Sequence, residues 1–164
     1  MKHFRKLIGT VLILSILFLT ACLPKVNVRT ITPMTAKISN YETILIYVST
    51  LVPDSTEQVS QLEAYIIKYI DQKGIFKNIV PYSKEPTEST DLRLYAKILE
   101  LRKGGFVTAA FTYPYMRLEV ILIDVKTGKN IGVFEFLRTS GQRTTEGIIM
   151  DVSERIAKLM AENY

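Results

Sequence analysis

The sequence predicts one α/β domain, a two-layer sandwich with two helices on a mixed sheet of about five strands, in the order β-α-β-β-β-β-α. Two patterns support this fold class. Several segments alternate apolar and polar residues at every second position, which is typical of strands with one buried face. Two other segments repeat apolar residues at helical spacing. We therefore expect a sheet that carries both helices on one face.

The first strand and the first helix follow each other closely. Residues 43–48 form a continuous run of β-branched, apolar and aromatic residues. This is the pattern of a strand covered on both faces, so we expect it in the centre of the sheet. Ser55 and Gln58 then have the spacing of a capping box. Apolar residues recur at helical intervals over residues 59–70, and Gly74 is a typical residue at a helix end.

Two further strands are predicted after this helix. Residues 75–82 fit a short strand, and Pro81 places it at an edge or at a strand end, because proline has no backbone N–H to donate to a neighbour. Residues 92–99 alternate apolar and polar side chains with period two. That alternation predicts a strand with one buried side.

A hairpin and a helix complete the domain. Residues 116–125 again alternate, and the turn residues Lys-Thr-Gly-Lys at 126–129 connect them to a strand over residues 131–137. The last segment, residues 144–162, has its apolar residues on one helical face and most of its charges elsewhere. We expect this amphipathic helix to pack on the sheet.

The N-terminus has the pattern of a bacterial signal peptide. Lys2, Arg5 and Lys6 precede an apolar run over residues 7–19, and this region contains no carboxylate. The run is shorter than the ~20 residues that a comfortable bilayer span requires. It leads directly into a tetrapeptide that resembles a lipobox and contains the only cysteine of the chain: Leu19, Thr20, Ala21 and Cys22.

The lipobox resemblance implies how the chain is processed. In bacterial lipoproteins the signal peptide, here residues 1–21, is removed, and the cysteine, here Cys22, carries a covalent lipid as the first mature residue. That lipid is the only cofactor that we expect. Residues 22–40 are then a tether, and residues 41–164 form the domain. Whether part of the tether forms a strand is left open. The alternative is an uncleaved anchor helix in which Cys22 is merely a small apolar residue.

The expected location is the exported side of the cell membrane, to which the lipid would hold the protein. Leu23 follows the cysteine at the position where inner-membrane-retained lipoproteins of enteric bacteria often carry aspartate. If the host has two membranes, we therefore expect the periplasmic face of the outer membrane.

Composition excludes several classes of function. Removal of Lys2, Arg5 and Lys6 lowers 21 cations to 18 against 16 carboxylates, so the formal charge falls from +5 to +2. A nucleic-acid partner thereby loses its electrostatic basis, and we expect none. His3, the only histidine, leaves with the signal peptide. Without histidine or a free thiol, the usual nucleophilic and zinc chemistries are excluded, and we expect neither an enzyme nor a metal site.

The order of elements and three segments resemble a group of small envelope lipoproteins. The segments are residues 91–98, the connection at residues 104–106, and residues 122–129. The group comprises the CsgG-type curli secretion lipoprotein, the penicillin-binding-protein activator lipoprotein LpoB and the N-terminal domain of TolB. The likeness covers residues 41–162. It implies a non-catalytic protein that binds or regulates other envelope proteins or assembles into oligomers.

An uncharged segment, residues 104–115, is the candidate partner-binding site. One interpretation is an exposed loop that adheres to a protein partner or a membrane surface, since uncharged apolar patches at a surface mark interaction sites. The other is that its aromatic residues continue the strands and fill the core. The four aromatic residues are Phe106, Phe111, Tyr113 and Tyr115.

Charged residues supply weaker candidate sites. A histidine-free hydrolase of cell-wall material would place two carboxylates in one cleft, whereas we expect the strand carboxylates on solvated faces and turns. Arg102 and Lys103 predict a solvated turn, with a phosphate site as the alternative. The carboxylates on or beside the strands are Asp91, Glu100, Glu119, Asp124 and Glu135.

The main hypothesis is a membrane-anchored, non-enzymatic binding or assembly module of the cell envelope, with other envelope proteins as partners and self-association left open. One alternative is an oligomeric component of an export apparatus, which would self-associate through the aromatic segment or an exposed strand edge. The other is the carboxylate-based cell-wall hydrolase.

Overall fold

The computed structural model describes residues 26–82, 90–107, 110–139 and 144–164, and for segments 105–107 and 110–112 it describes the backbone alone. The predicted signal peptide, the lipobox and Cys22 lie outside the described residues. No helix in the described part of the chain is both long and apolar enough to cross a bilayer.

Within the described residues, eight strands form two sheets. They are β1 Asn27–Thr32, β2 Thr43–Thr50, β3 Asn78–Pro81, β4 Leu92–Arg102, β5 Gly105–Val107, β6 Ala110–Thr112, β7 Tyr115–Asp124 and β8 Asn130–Thr139. The main sheet has six strands in the order β1-β8-β7-β4-β2-β3, and β5 and β6 pair separately. β2 runs parallel to both of its neighbours, and the other pairs are antiparallel, so the sheet is mixed as predicted.

Both helices cover one face of the main sheet. Helix α1, Thr56–Lys73, and helix α2, Thr145–Glu162, pack on each other and on the buried face of the strands. Fully buried side chains between the layers include Leu62 of α1, Ile149 of α2 and Ile98 of β4. The structure confirms the predicted two-layer α/β sandwich, with six strands in the sheet where about five were expected.

The sixth strand comes from the segment that the sequence assigned to the tether. β1 pairs antiparallel with β8 along one edge of the sheet. The short 3-10 turn Ile38–Asn40 follows, and the side chain of Ile38 is fully buried in the core. The backbone N–H of Ile38 donates to the carbonyl of Asn163 at 2.9 Å. Burial of this side chain ties the segment before residue 41 to the domain.

The start of α1 differs from the predicted capping box. Ser55 is the N-cap residue, but its hydroxyl accepts no hydrogen bond from the helix and donates instead to the carbonyl of Val52 at 2.6 Å. It also lies 3.0 Å from the hydroxyl of Thr50. The predicted capping hydrogen bond was wrong, because this side chain holds the turn between β2 and α1. The predicted helix end at Gly74 is confirmed by its left-handed φ of 61°.

The surface of the sheet opposite the helices is the open face, which includes Tyr47 of β2 and Arg117 of β7. β2 is an interior strand as predicted, but only some of its side chains on the open face are buried. Leu45 is buried, whereas Tyr47 is half-buried. In β4 the register shifts between Ile98 and Glu100, which places Glu100 opposite Arg117. This bulge reverses the alternation and brings Glu100 onto the open face.

Candidate functional site

The sheet register brings several chain segments to one end of the domain. β2 and β4 run parallel and both end there. Arg102, the last residue of β4, pairs with Tyr115 at the start of β7, and Tyr115 pairs with Thr139 at the end of β8. Asn27, the first residue of β1, pairs with Leu137 near the same place. We name this region the hairpin end, defined by Leu51, Arg102, Lys103, Tyr113 and the strands β5 and β6.

The predicted partner-binding segment forms a small antiparallel ribbon at the hairpin end. β5 and β6 pair with each other, with Phe106 opposite Phe111. They form a separate two-stranded sheet, so the backbone here is neither an irregular loop nor part of the main sheet. A glycine is needed at the base of the ribbon, because a Cβ atom on Gly104 would lie 2.8 Å from Cδ of Pro114. The close approach of these two residues leads the chain out of the sheet and back into it.

Two cations hold the base of the ribbon. Nε of Arg102 donates to the carbonyl of Tyr113 at 3.0 Å, and its guanidinium carbon lies 6.0 Å from the ring centre of Tyr115. Nζ of Lys103 donates to the carbonyl of Asp54 at 3.1 Å. Both cationic residues remain exposed, so the predicted solvated turn also makes specific contacts with its surroundings.

Two large apolar side chains are exposed just after β2 and just after β6. Leu51 is 61% exposed and Tyr113 is 50% exposed, whereas Tyr115 is partly buried at the start of β7. Leu51 was not among the predicted site residues, because an apolar residue directly after a strand continues the strand pattern. Its position became evident only from the strand register, which brings its N–H to the carbonyl of Ile98 at 2.9 Å.

A charged network crosses the open face. Nη1 of Arg117 donates to Glu100 at 2.7 Å, and Nη2 donates to Glu135 at 3.3 Å. The hydrogen bond to Glu100, together with the negative charge of Glu135, raises the pKa of Arg117. Two of the predicted carboxylates therefore serve as ion-pair partners. The sequence did not reveal this network, because the bulge in β4 decides which face Glu100 joins.

Two other predicted carboxylates accept hydrogen bonds from backbone N–H groups, and one of them also accepts from a tyrosine hydroxyl. Oδ2 of Asp91 accepts from two backbone N–H groups at the start of β2, both at 3.1 Å. Asp124 accepts from the N–H of Thr127 at 2.7 Å and from the hydroxyl of Tyr41 at 3.0 Å. The Thr127 N–H is the main cause that lowers the pKa of Asp124. Burial, with the Asp124 hydrogen bond as second cause, raises the pKa of Tyr41 to about 12.

Metal-ligating side chains are not clustered in the described ranges: no three of His, Cys, Asp and Glu come together there in a way that could hold a metal ion. Glu119 lies opposite Glu135 on neighbouring strands of the open face. Because this face carries no helix, that pair lies on a sheet surface, whereas the hydrolase hypothesis requires two carboxylates in a cleft.

The outer edge of β1 is a second candidate surface. β1 pairs with β8 on one side and has no neighbour on the other side among the described strands. Ile31 on this strand is 50% exposed. The opposite edge of the sheet, β3, has four residues and ends at Pro81, which restricts further pairing. β1 has no proline and one charged residue, Arg29, so its edge is much less protected.

Comparison with known proteins gives matches in structure alone. No protein-family model and no curated protein matches the sequence. Two crystal forms of the PelC dodecamer from Paraburkholderia phytofirmans align with TM-scores of 0.65 and 0.63 at 14% and 17% sequence identity. They cover 84% and 82% of this chain and 97% of the PelC chain. This chain has the PelC fold.

The likeness to PelC establishes the architecture, and at these identities it establishes the fold alone. The lipoprotein GNA1162 from Neisseria meningitidis is more distant, with 12% identity and a TM-score of 0.47 over 74% of this chain and 99% of that chain. That likeness is too distant to establish a shared fold or a shared role. The resemblance to the CsgG, LpoB and TolB group stays a prediction.

Proposed function

We propose that this protein is a lipid-anchored, non-enzymatic assembly module of the bacterial cell envelope that associates with copies of itself. The PelC fold carries the proposal, because the matched PelC chains form dodecamers and the match includes 97% of the PelC chain. The lipobox residues and Cys22 are the sequence support for the anchor.

The use of the carboxylates favours a binding role over hydrolysis. Four of the five predicted carboxylates are engaged: two with Arg117, one with backbone N–H groups at the start of β2, and one with Thr127 and Tyr41. A general acid needs a carboxyl group with a raised pKa. For Asp124, by contrast, the hydrogen bonds lower the pKa.

The β1 edge is the surface through which we expect copies to associate. The backbone groups on its outer side have no partner among the described strands and can receive a further strand, which is a common mode of association between sheets. The exposed side chain of Ile31 lies on the same strand and would lose contact with water in such a pairing. The short β3, with Pro81, is less suited to this role.

The anchor is tested by intact-mass and N-terminal peptide mass spectrometry on protein isolated from membranes of its native host. We expect the wild-type chain to begin at an acylated Cys22, because the lipobox precedes that residue. The Cys22→Ala variant should lose both the lipid and membrane retention. An intact, unmodified N-terminus in the wild type would reject the lipid anchor.

Self-association is tested by light scattering on the full chain in mild detergent over a range of protein concentrations. We expect a wild-type oligomer and a smaller mass for Ile31→Lys, because a lysine on an edge strand opposes strand addition. Gln72→Lys is the matched control, since Gln72 is exposed on α1 and away from β1. A wild-type monomer at every concentration would reject assembly, and an unaltered Ile31→Lys oligomer would reject the β1 edge as the contact.

A further inference from the structure

The N-terminal segment joins the domain at the hairpin end. β1 begins there at Asn27, five residues after Cys22. Five fully extended residues reach at most about 18 Å. β7 has ten residues and therefore a length of about 33 Å, so the main sheet is longer than this reach. If the acyl chains of Cys22 lie in a bilayer, the hairpin end can touch that bilayer and the opposite end cannot.

The hairpin end has the chemistry of a membrane interface. The described residues 104–107 and 110–114 carry no charge, and Tyr113, which directly follows β6, is 50% exposed. Arg102 and Lys103 lie at the base of the ribbon. Apolar and aromatic side chains enter the headgroup region of a bilayer, and cations close behind them meet lipid phosphates.

The opposite end of the sheet is charged. Glu42 precedes β2 and Lys77 precedes β3, and their side chains form an exposed ion pair at 2.6 Å. The turn between β7 and β8 is at the same end and contains the exposed Lys126 and Lys129. These exposed charges favour contact with water over contact with lipid. The charge of this end therefore agrees with the short reach of the N-terminal segment, which keeps this end away from the bilayer.

We propose that the hairpin end rests on the phospholipid bilayer that holds Cys22, with Tyr113 and the β5–β6 ribbon at the headgroup level. This inference rests on the lipid anchor of the proposed function. It adds an orientation: the sheet stands on the membrane with its strands directed away from the surface, and the β7–β8 turn is the part furthest from the lipid.

The orientation is tested with a thiol-reactive, polarity-sensitive fluorophore on the full lipidated chain. Acylation consumes the sulfur of Cys22, so a Tyr113→Cys variant offers a single reactive thiol. Leu51→Cys is the second reporter, Lys129→Cys is the control at the far end, and Lys158→Cys is the control on the helix layer. The proteins are reconstituted in phosphatidylethanolamine and phosphatidylglycerol vesicles, and quenching by spin-labelled lipid is compared with quenching by aqueous iodide.

We expect a blue shift and strong lipid quenching at position 113, weaker lipid quenching at position 51, which is set back along the sheet, and strong iodide quenching at positions 129 and 158. Equal iodide quenching at all four positions would overturn the proposal. So would shielding of position 113 that appears without vesicles and grows with protein concentration, because a second copy would then cover the ribbon. Intact mass is measured on the same samples: a chain without acyl groups would reject the anchor itself, separately from the orientation.

Discussion

Arg138 carries a positive charge into the core, where its side chain is 2% exposed. Its Nε donates to Asp151 of α2 at 3.0 Å, and its Nη1 donates to the carbonyl of Thr139 at 3.0 Å. A buried charge is tolerated only when it is paired and hydrogen-bonded. The pair therefore joins β8 to α2 and fixes the helix on the sheet.

We expect Asp151→Ala to lower the free energy of unfolding by about 3 kcal/mol, because the variant leaves a buried guanidinium without its carboxylate. Urea denaturation measures the change. The double variant Arg138→Met, Asp151→Leu should recover much of the loss, since no buried charge remains. Glu154→Ala, on the exposed side of the same helix, is the control, and a loss no larger than the control's would contradict the role of the pair.

Asp124 makes stability depend on acid pH. The N–H of Thr127 is the main cause of its lowered pKa, and Tyr41 contributes a further hydrogen bond. The unfolded chain has the ordinary aspartate pKa of about 4. The stabilisation is therefore complete above that value and is lost as the pH falls through it towards the lower pKa of the folded state.

We expect Asp124→Asn to have a lower urea midpoint than the wild type at neutral pH, because the charged acceptor is absent. The difference should shrink as the pH is lowered below about 4, because the unfolded chain then takes up a proton on Asp124 before the folded chain does. Glu63→Gln, on the surface of α1, is the control. A difference that stays constant over this range would show that the charge of Asp124 does not stabilise the fold.

Period-two alternation correctly predicted apolar buried positions such as Leu94, but it could not identify Arg138. A charged residue at a buried position interrupts the pattern that identifies burial. Its partner Asp151 lies on a different element, and only packing brings the two together. The same reason applies to Tyr41 and Asp124, which are 83 residues apart in the chain.

At the scale of elements, the connection between β1 and β2 packs on β8 at Gly132. A Cβ atom at this position would lie 2.6 Å from Sδ of Met34 and 2.8 Å from the ring of Phe134. Met34 occupies the space that the missing side chain leaves. The glycine thus allows the segment after β1 to lie close to the sheet.

We expect Gly132→Ala to destabilise the protein by about 1–3 kcal/mol through overpacking. Thermal unfolding followed by circular dichroism measures the effect. Met34→Ala removes the side chain that the new methyl group would meet, so the double variant should lose less than the sum of the two single losses. Strict additivity of the two losses would contradict the contact.

Most elements were predictable because their patterns are strong. Both helices and the five predicted strands of the main sheet lie close to their expected positions, and the edge position of β3 followed from Pro81. A strand in part of residues 22–40 was left open by the sequence, and β1 is such a strand. Its bounds and its pairing with β8 were not predictable, because its side chains are mostly exposed and alternate little. The capping box failed because Ser55 has a nearer partner in the preceding turn.

At the scale of the whole molecule, β1 completes the sheet and covers the edge of β8. Replacing residues 27–32 by an equally long Gly-Ser segment should lower the Tm by about 5 °C or more and promote aggregation, because the edge of β8 would be uncovered. Thermal scans and light scattering measure the two effects. Ile31→Thr, at an exposed position of β1, is the control, and an unchanged Tm in the Gly-Ser variant would show that β1 contributes no stability.

The candidate site was predictable in part. The absence of charge in residues 104–115, which is visible in the sequence alone, identified the segment that contains the separate β5–β6 ribbon, and its role in binding stays a prediction. The sequence could not place the segment at the end of the sheet where β1 begins and β4 ends. That position depends on the order and direction of the strands, which long-range pairing decides.

The direction of β1 restricts the symmetry of any membrane-bound assembly. Two copies that paired their β1 edges antiparallel would turn their hairpin ends in opposite directions. If Cys22 carries the proposed lipid and the sheet stands upright on the bilayer as proposed, a segment with a reach of about 18 Å could not return both lipids to one bilayer. Copies anchored side by side must therefore keep their strands pointing the same way. Repetition about a rotation axis normal to the membrane satisfies this condition and closes into a ring, whereas a two-fold axis in the membrane plane does not.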